Sequence, residues 1–127
     1  MDTQVSDILK SENINEDLYY IGILDGAKCK SLKSFLKEIG KVFNFPSYYG
    51  QNLNALYECL NDLEWLDKRN YFLLIKNSEI FLKDESTEVR DHILSSLKRV
   101  TEEWANVPNY DGEEIYRHKA DFRIKLA

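Results

Sequence analysis

Glu58 and Asp62 stand four residues apart in a segment patterned for a helix, a spacing that puts two carboxylates on one face and makes an acid–base pair geometrically possible. Nothing else in the sequence completes a catalytic centre around them. His92 falls inside a predicted long helix and His118 in a loop between Arg117 and Lys119, and neither has a candidate nucleophile at a spacing that would bring both to one face. No phosphate-cradling glycine loop, HExxH, CxxC or nucleophile elbow occurs. Cys29 and Cys59 belong to different predicted elements and lack metal-ligand spacing, so they read as two reduced thiols. The expectation is no enzyme, no metal and no cofactor. Carboxylates without catalytic company can still bind, and beside tyrosines they suit a basic partner: aromatics supply contact area, acids supply steering and charged hydrogen bonds.

Such a combination is concentrated in Phe45 to Leu66, FPSYYGQNLNALYECLNDLEWL. Pro46, the pair Tyr48 and Tyr49, and Gly50 form a turn, and Asn52 is suited to cap the helix that follows. On a helical wheel Leu53, Leu56, Leu60 and Leu63 make an apolar stripe that must be buried. Asn54, Tyr57, Glu58 and Asn61 share a different face, with Tyr48 just ahead of them. From Val42 to Asp67 there is no lysine or arginine, where about 3 would be ordinary, so Glu58, Asp62, Glu64 and Asp67 are locally uncompensated. Patterning leaves a second reading equally open, in which the tyrosines fill a small core and the acids are merely solvated.

The elements that must position this stretch are regular. LYYIGIL, residues Leu18 to Leu24, reads as a buried first strand ended by Asp25 and Gly26. Ser31 can cap a helix through Phe43, with Leu32, Phe35, Leu36, Ile39, Val42 and Phe43 at helical spacing. The central helix is expected to end near Trp65, and YFLLIK, Tyr71 to Lys76, is a second strand covered on both faces. Phe81 and Leu82 anchor a connection to a long helix that starts at Ser86 or Thr87 and runs through Trp104. Phe122 to Leu126 is the last strand. Strands separated by helices predict an α/β domain with a three-stranded, mainly parallel sheet. Ala105 to Ala120 lacks periodicity; it reads as a variable insertion, with an extra hairpin or second contact surface as the alternative.

With 127 residues the chain supports one domain with a real core. Residues 1–16 are expected to be an extension, one or two helical turns or a frayed tail, and residues 17–127 the domain. A net charge of −5 argues against direct binding of nucleic acid but permits a protein that occupies a basic nucleic-acid-binding cleft. No membrane span or secretory signal is recognisable, which predicts a cytoplasmic protein.

The run PSYYGQNLNALYECL closely resembles the signature of the barstar family, small intracellular inhibitors of bacterial ribonucleases, and the likeness extends upstream through LDGAKCKSLKSFLKEI. It implies a small barstar-like α/β fold over 17–127 and a partner-binding face made of Tyr48, Tyr49, Gly50, Asn52, Asn54, Tyr57, Glu58 and Asn61. It further implies that the partner is a basic ribonuclease or nuclease toxin whose active site this face plugs, with Glu58 in place of an RNA phosphate and the free chain a monomer. Tyr57 stands where the best-studied member has a tryptophan, and Asn54 where it has a second acid. The lost charge implies poor inhibition of ribonucleases other than the chain's own target. The alternative is an immunity or adaptor protein that binds a non-nuclease partner through the same face.

Overall fold

The computed structural model describes residues 3–127. In chain order the regular elements are α1 (Thr3–Ser11), β1 (Tyr19–Asp25), α2 (Leu32–Val42), α3 (Leu53–Leu60), β2 (Asn70–Lys76), α4 (Thr87–Ala105) and β3 (Phe122–Leu126), with single 3-10 turns at Gly26–Lys28, Ser78–Ile80 and Glu113–Ile115. The three strands form one parallel sheet in the order β1-β2-β3, with Tyr19 opposite Asn70 and Tyr71 opposite Phe122. This is the α/β sheet that the spacing of strands and helices predicts.

β2 is central and buried from Tyr71 to Ile75. Because successive strand side chains alternate in direction, its residues divide between two cores. Tyr71, Leu73 and Ile75 join the main core with Phe35 and Ile39 of α2, Leu56 and Leu60 of α3, and Ile93, Leu97, Val100 and Trp104 of α4. Phe72 and Leu74 face the other way, onto Val5, Leu9 and Ile14. The N-terminal stretch is therefore more than a frayed tail: α1 lays Val5 and Leu9 over the second face of the sheet, each burial worth about 1.5–3 kcal/mol. The first two residues of the expected 1–16 extension lie outside the described residues.

Two features, the burial of β1 and the end of α3, differ from what the sequence predicts. β1 is an edge strand in which only Gly22 and Leu24 are fully buried, so its continuous apolar run serves pairing on one side and half-covered packing on both faces. α3 stops at Leu60, well short of Trp65, because Asn61 caps it and Leu63 turns into the left-handed region at φ 53°. Leu63 is nevertheless fully buried, so the leucine stripe does its work across the helix end. Trp65 then folds back, its Nε1 donating to the Phe43 carbonyl at 2.8 Å.

Helix starts are fixed by local chemistry. Ser31 and Ser34 form a reciprocal capping box for α2, and the side chains of Asn52 and Ser86 accept from Ala55 N and Val89 N to start α3 and α4.

Candidate functional site

The site is built on the turn between α2 and α3. Phe45 packs edge-on against both Tyr49 and Trp65, with ring centroids 4.7 and 6.0 Å away. Tyr49 is half-buried; its ring lies on Gly40, where a Cβ would come within 2.9 Å of Tyr49 Cε2, and its hydroxyl donates to the Leu36 carbonyl at 2.8 Å. Burial pushes that hydroxyl up to about 12. The glycine inside α2 thus exists for close approach, and of two adjacent tyrosines one is spent on holding the turn. Asn52 Oδ1 accepts from Ala55 N at 2.9 Å, which fixes the first turn of α3.

The outward surface carries the remaining groups. Tyr48 is 73% exposed, and Gly50, Asn54, Glu58 and Asp62 are all exposed. Tyr48, Tyr49, Ala55, Glu58, Cys59 and Asp62 line a shallow hollow of about 150 Å³. Among the described residues Glu58 has no ion pair within 4.0 Å and no hydrogen bond to its carboxylate. Lys68, the first cation after the acidic stretch, is turned away to the Asp17 carbonyl at 3.1 Å. The carboxylate and the exposed tyrosine are therefore held out to solvent by a framed helix.

Tyr57 and Asn61 turn toward the domain rather than fully outward. Tyr57 is half-buried, with its hydroxyl buried and unpaired. Asn61 donates through Nδ2 to the Tyr57 carbonyl at 3.0 Å and accepts through Oδ1 from Arg117 at 2.6 Å. Of the eight residues expected at the partner surface, Tyr48, Gly50, Asn54 and Glu58 lie fully exposed there. Asn52 is exposed but caps the helix, Tyr57 sits at the edge, and the side chains of Tyr49 and Asn61 are committed to the frame.

Beside Glu58 runs a groove of about 380 Å³ between α3, α4 and the 105–120 segment, lined by Tyr57, Glu58, Arg99, Glu103, Tyr110 and Arg117 among others. Tyr110, Asp111 and Gly112 read as a turn in the sequence, whereas nothing local gives Arg117 a role. Arg117 pairs with buried Glu113 at 3.0 Å and lies over the Trp104 ring, 4.1 Å from its centroid. Glu113 also accepts from Asn109 N at 2.6 Å and from Asn109 Nδ2 at 2.9 Å. Burial works against the Glu113 anion, but the hydrogen bonds from Asn109 and Arg117 prevail and hold its carboxyl below the usual range. The i, i+4 spacing of Glu113 and Arg117 was visible in the sequence; the link to Asn61 was not.

Of the remaining reactive groups only Cys59 borders this surface, at the floor of the hollow beside Glu58. His92 is exposed on α4, and a His118 ring nitrogen lies 2.9 Å from the Arg69 carbonyl. Cys29 and Cys59 are buried and unpaired with each other; burial pushes the Cys29 thiol up to about 12 and raises that of Cys59. Among the described residues no group of three or more His, Cys, Asp or Glu is placed to hold a metal ion, and no helix is long and apolar enough to cross a membrane.

The architecture is thus a parallel three-stranded α/β domain whose acid-and-tyrosine surface is presented by a short capped helix. The family model described as Barstar (barnase inhibitor) matches residues 20–126, and the chain belongs to that family. A relative from Bacillus subtilis (strain 168), described as "Putative ribonuclease inhibitor YrdF", is 29% identical over 85 residues, spanning 65% of this chain and 90% of the relative.

Proposed function

We propose that this protein inhibits a basic bacterial ribonuclease or nuclease toxin by seating the turn and helix from Tyr48 to Asn61 in its active site. The observation that carries the reading is the state of Glu58: an exposed carboxylate with no basic partner among the described residues, beside an exposed Tyr48, on the helix of a barstar-family domain. A ribonuclease active site holds arginine, lysine or histidine donors ready for phosphate, and a carboxylate offers them acceptors of the same sign. Tyr48 and the edge of Tyr57 then exclude water around those bonds, which strengthens them. Family membership and the description of the Bacillus subtilis relative support an inhibitor rather than an enzyme.

Asn54 sets the expected selectivity. It lies exposed one turn before Glu58, where a second acid would add to the negative surface, so the target's cleft is expected to demand less charge there. Inhibition of RNA hydrolysis, measured across a panel of basic bacterial ribonucleases that includes barnase, tests the proposal. Competitive inhibition of at least one member, lost on Glu58→Gln, is the expected result; a chain that leaves every member fully active would overturn it. Nanomolar inhibition of barnase by the unmodified chain would contradict the selectivity argument while sparing the function.

A further inference from the structure

A second stretch repeats the composition of the first. From Val100 to Tyr116 there are five acids, Glu102, Glu103, Asp111, Glu113 and Glu114, two tyrosines, and no lysine or arginine. With the four acids of Val42–Asp67, nine of the chain's 22 acids fall in these two stretches while all 17 of its Lys and Arg lie elsewhere, so the remaining sequence is net positive. The fold brings the two stretches together. Arg117 joins the end of the second to Asn61 at 2.6 Å, and the groove between them has Tyr57 and Glu58 on one wall and Glu103 and Tyr110 on the other, with Arg99 and Arg117, which flank the second stretch, also lining it.

The second stretch is also where the chain exposes its apolar surface. Among the described residues six large apolar or aromatic side chains are strongly exposed; Tyr110, Ile115 and Tyr116 supply three of them, and Tyr48 is a fourth. Single exposed side chains mean little, but Tyr110 lines the groove, Ile115 and Tyr116 follow it on the same short segment, and Tyr48 lines the neighbouring hollow with Glu58. The segment that carries them is braced. Glu113 and Arg117, whose side chains are 3% and 9% exposed, are paired, Asn109 Nδ2 donates to the Glu103 carbonyl at 2.8 Å, and the Tyr110 and Tyr116 rings stand 6.5 Å apart. A buried ion pair contributes little net stability compared with apolar packing, whereas it does fix geometry, and a fixed surface loses less entropy on binding. Two polar atoms of the groove-lining residues, the Tyr57 hydroxyl and Arg117 Nε, are buried with no hydrogen-bond partner from the described residues.

We infer that the 105–120 segment is the second half of the partner-binding surface: the same basic nuclease that receives Glu58 covers the groove and rests on Tyr110, Ile115 and Tyr116. The inference rests on the proposed function and adds to it a second, aromatic contact patch outside α3. The occupant is specified by charge, since the two stretches leave eight acids outside the interior, all but the buried Glu113, and with the exposed tyrosines these complement a cationic protein and repel another copy of the chain.

The test uses the full chain and whichever ribonuclease of the panel binds it most tightly. The double variant Tyr110→Ala/Tyr116→Ala removes exposed rings only, so its thermal midpoint should match that of the native chain. Its affinity should fall at least tenfold by calorimetry, with the salt dependence of binding retained, because Glu58 is untouched. If Glu58→Gln weakens binding but the tyrosine double variant binds within twofold of native, the inference is overturned and the proposed function stands. Failure of both variants to change affinity, or absence of binding to every ribonuclease, would overturn the proposed function and this inference with it. Self-association of the chain in sedimentation that the tyrosine variant abolishes, without change in ribonuclease affinity, would assign the patch to a second copy and likewise refute it.

Discussion

Arg117→Met removes, in one substitution, the 3.0 Å ion pair to Glu113, the 2.6 Å hydrogen bond to Asn61 and the stacking over Trp104. What remains is a Glu113 carboxylate held by Asn109 alone in a site almost closed to water. Breaking a buried pair in this way costs about 3–5 kcal/mol, because the surviving charge is left uncompensated. Arg117 keeps a side chain 9% exposed, so some solvation is recoverable, and the lower end, about 3 kcal/mol, is the expected loss. For a domain of this size that corresponds to roughly 10 °C in thermal midpoint. Urea titration followed by tryptophan fluorescence measures it, since Trp104 lies under the substituted residue. Adding Glu113→Leu to the same chain should restore part of the loss, as an apolar pair replaces a broken ionic one. The pH dependence has a definite sign. The Glu113 carboxyl is held below its ordinary value of 4.5 in the folded chain, so its contribution is complete above that pH and is lost as pH falls through the lower, folded-state value. Glu113→Gln should therefore be less stable than the native chain near neutrality, with the difference shrinking as pH falls below 4.5. A loss under about 1 kcal/mol for Arg117→Met would refute the reasoning that this pair braces the loop.

Gly40→Ala should destabilise by about 1–3 kcal/mol in urea titration, because the clash of its Cβ with the Tyr49 ring at 2.9 Å outweighs the gain in helix propensity. Asn52→Ala should lose about 1 kcal/mol by the same assay through the missing cap on Ala55 N. Asn54→Asp, at an exposed position in the first turn of α3, should tighten binding to barnase, read by calorimetry, without loss of stability, since an acid there also favours the helix N-terminus. Neither Cys29 nor Cys59 should react with a thiol reagent in the folded chain, and both should react in denaturant.

The elements that were legible in the sequence are those written in local signals. Ser31, Asn52 and Ser86 each precede a helical apolar pattern, and each caps its helix as expected. YFLLIK is the central strand because an unbroken apolar run suits burial on both faces. The less legible features depend on long-range partners. Tyr48 and Tyr49 are the same residue type in adjacent positions, and it is contacts made elsewhere, with Gly40, the Leu36 carbonyl and Phe45, that set the Tyr49 ring inward. In the sequence α1 offers only Val5, Ile8 and Leu9 as apolar signal, too little to reveal that they meet Phe72 and Leu74. Leu63 continued the leucine stripe on the wheel, yet it reaches the core from a left-handed turn after the helix has ended. Arg117 and Asn61 are 56 residues apart, so the tie between the loop and α3 left no local trace.

The exposed, unpaired carboxylate of Glu58 is the point on which the functional account turns, and the salt dependence of affinity for the tightest-binding ribonuclease probes it most directly. Glu58→Gln keeps the shape of the side chain and removes its charge. Loss of a desolvated charge partner costs about 2–5 kcal/mol, a range drawn in part from another member of this family, and should raise Kd by about 30-fold to several thousandfold while flattening the slope of log Kd against log salt. An unchanged Kd and an unchanged slope would mean that Glu58 faces no cation in the complex, and the account of a carboxylate standing in for phosphate would be wrong.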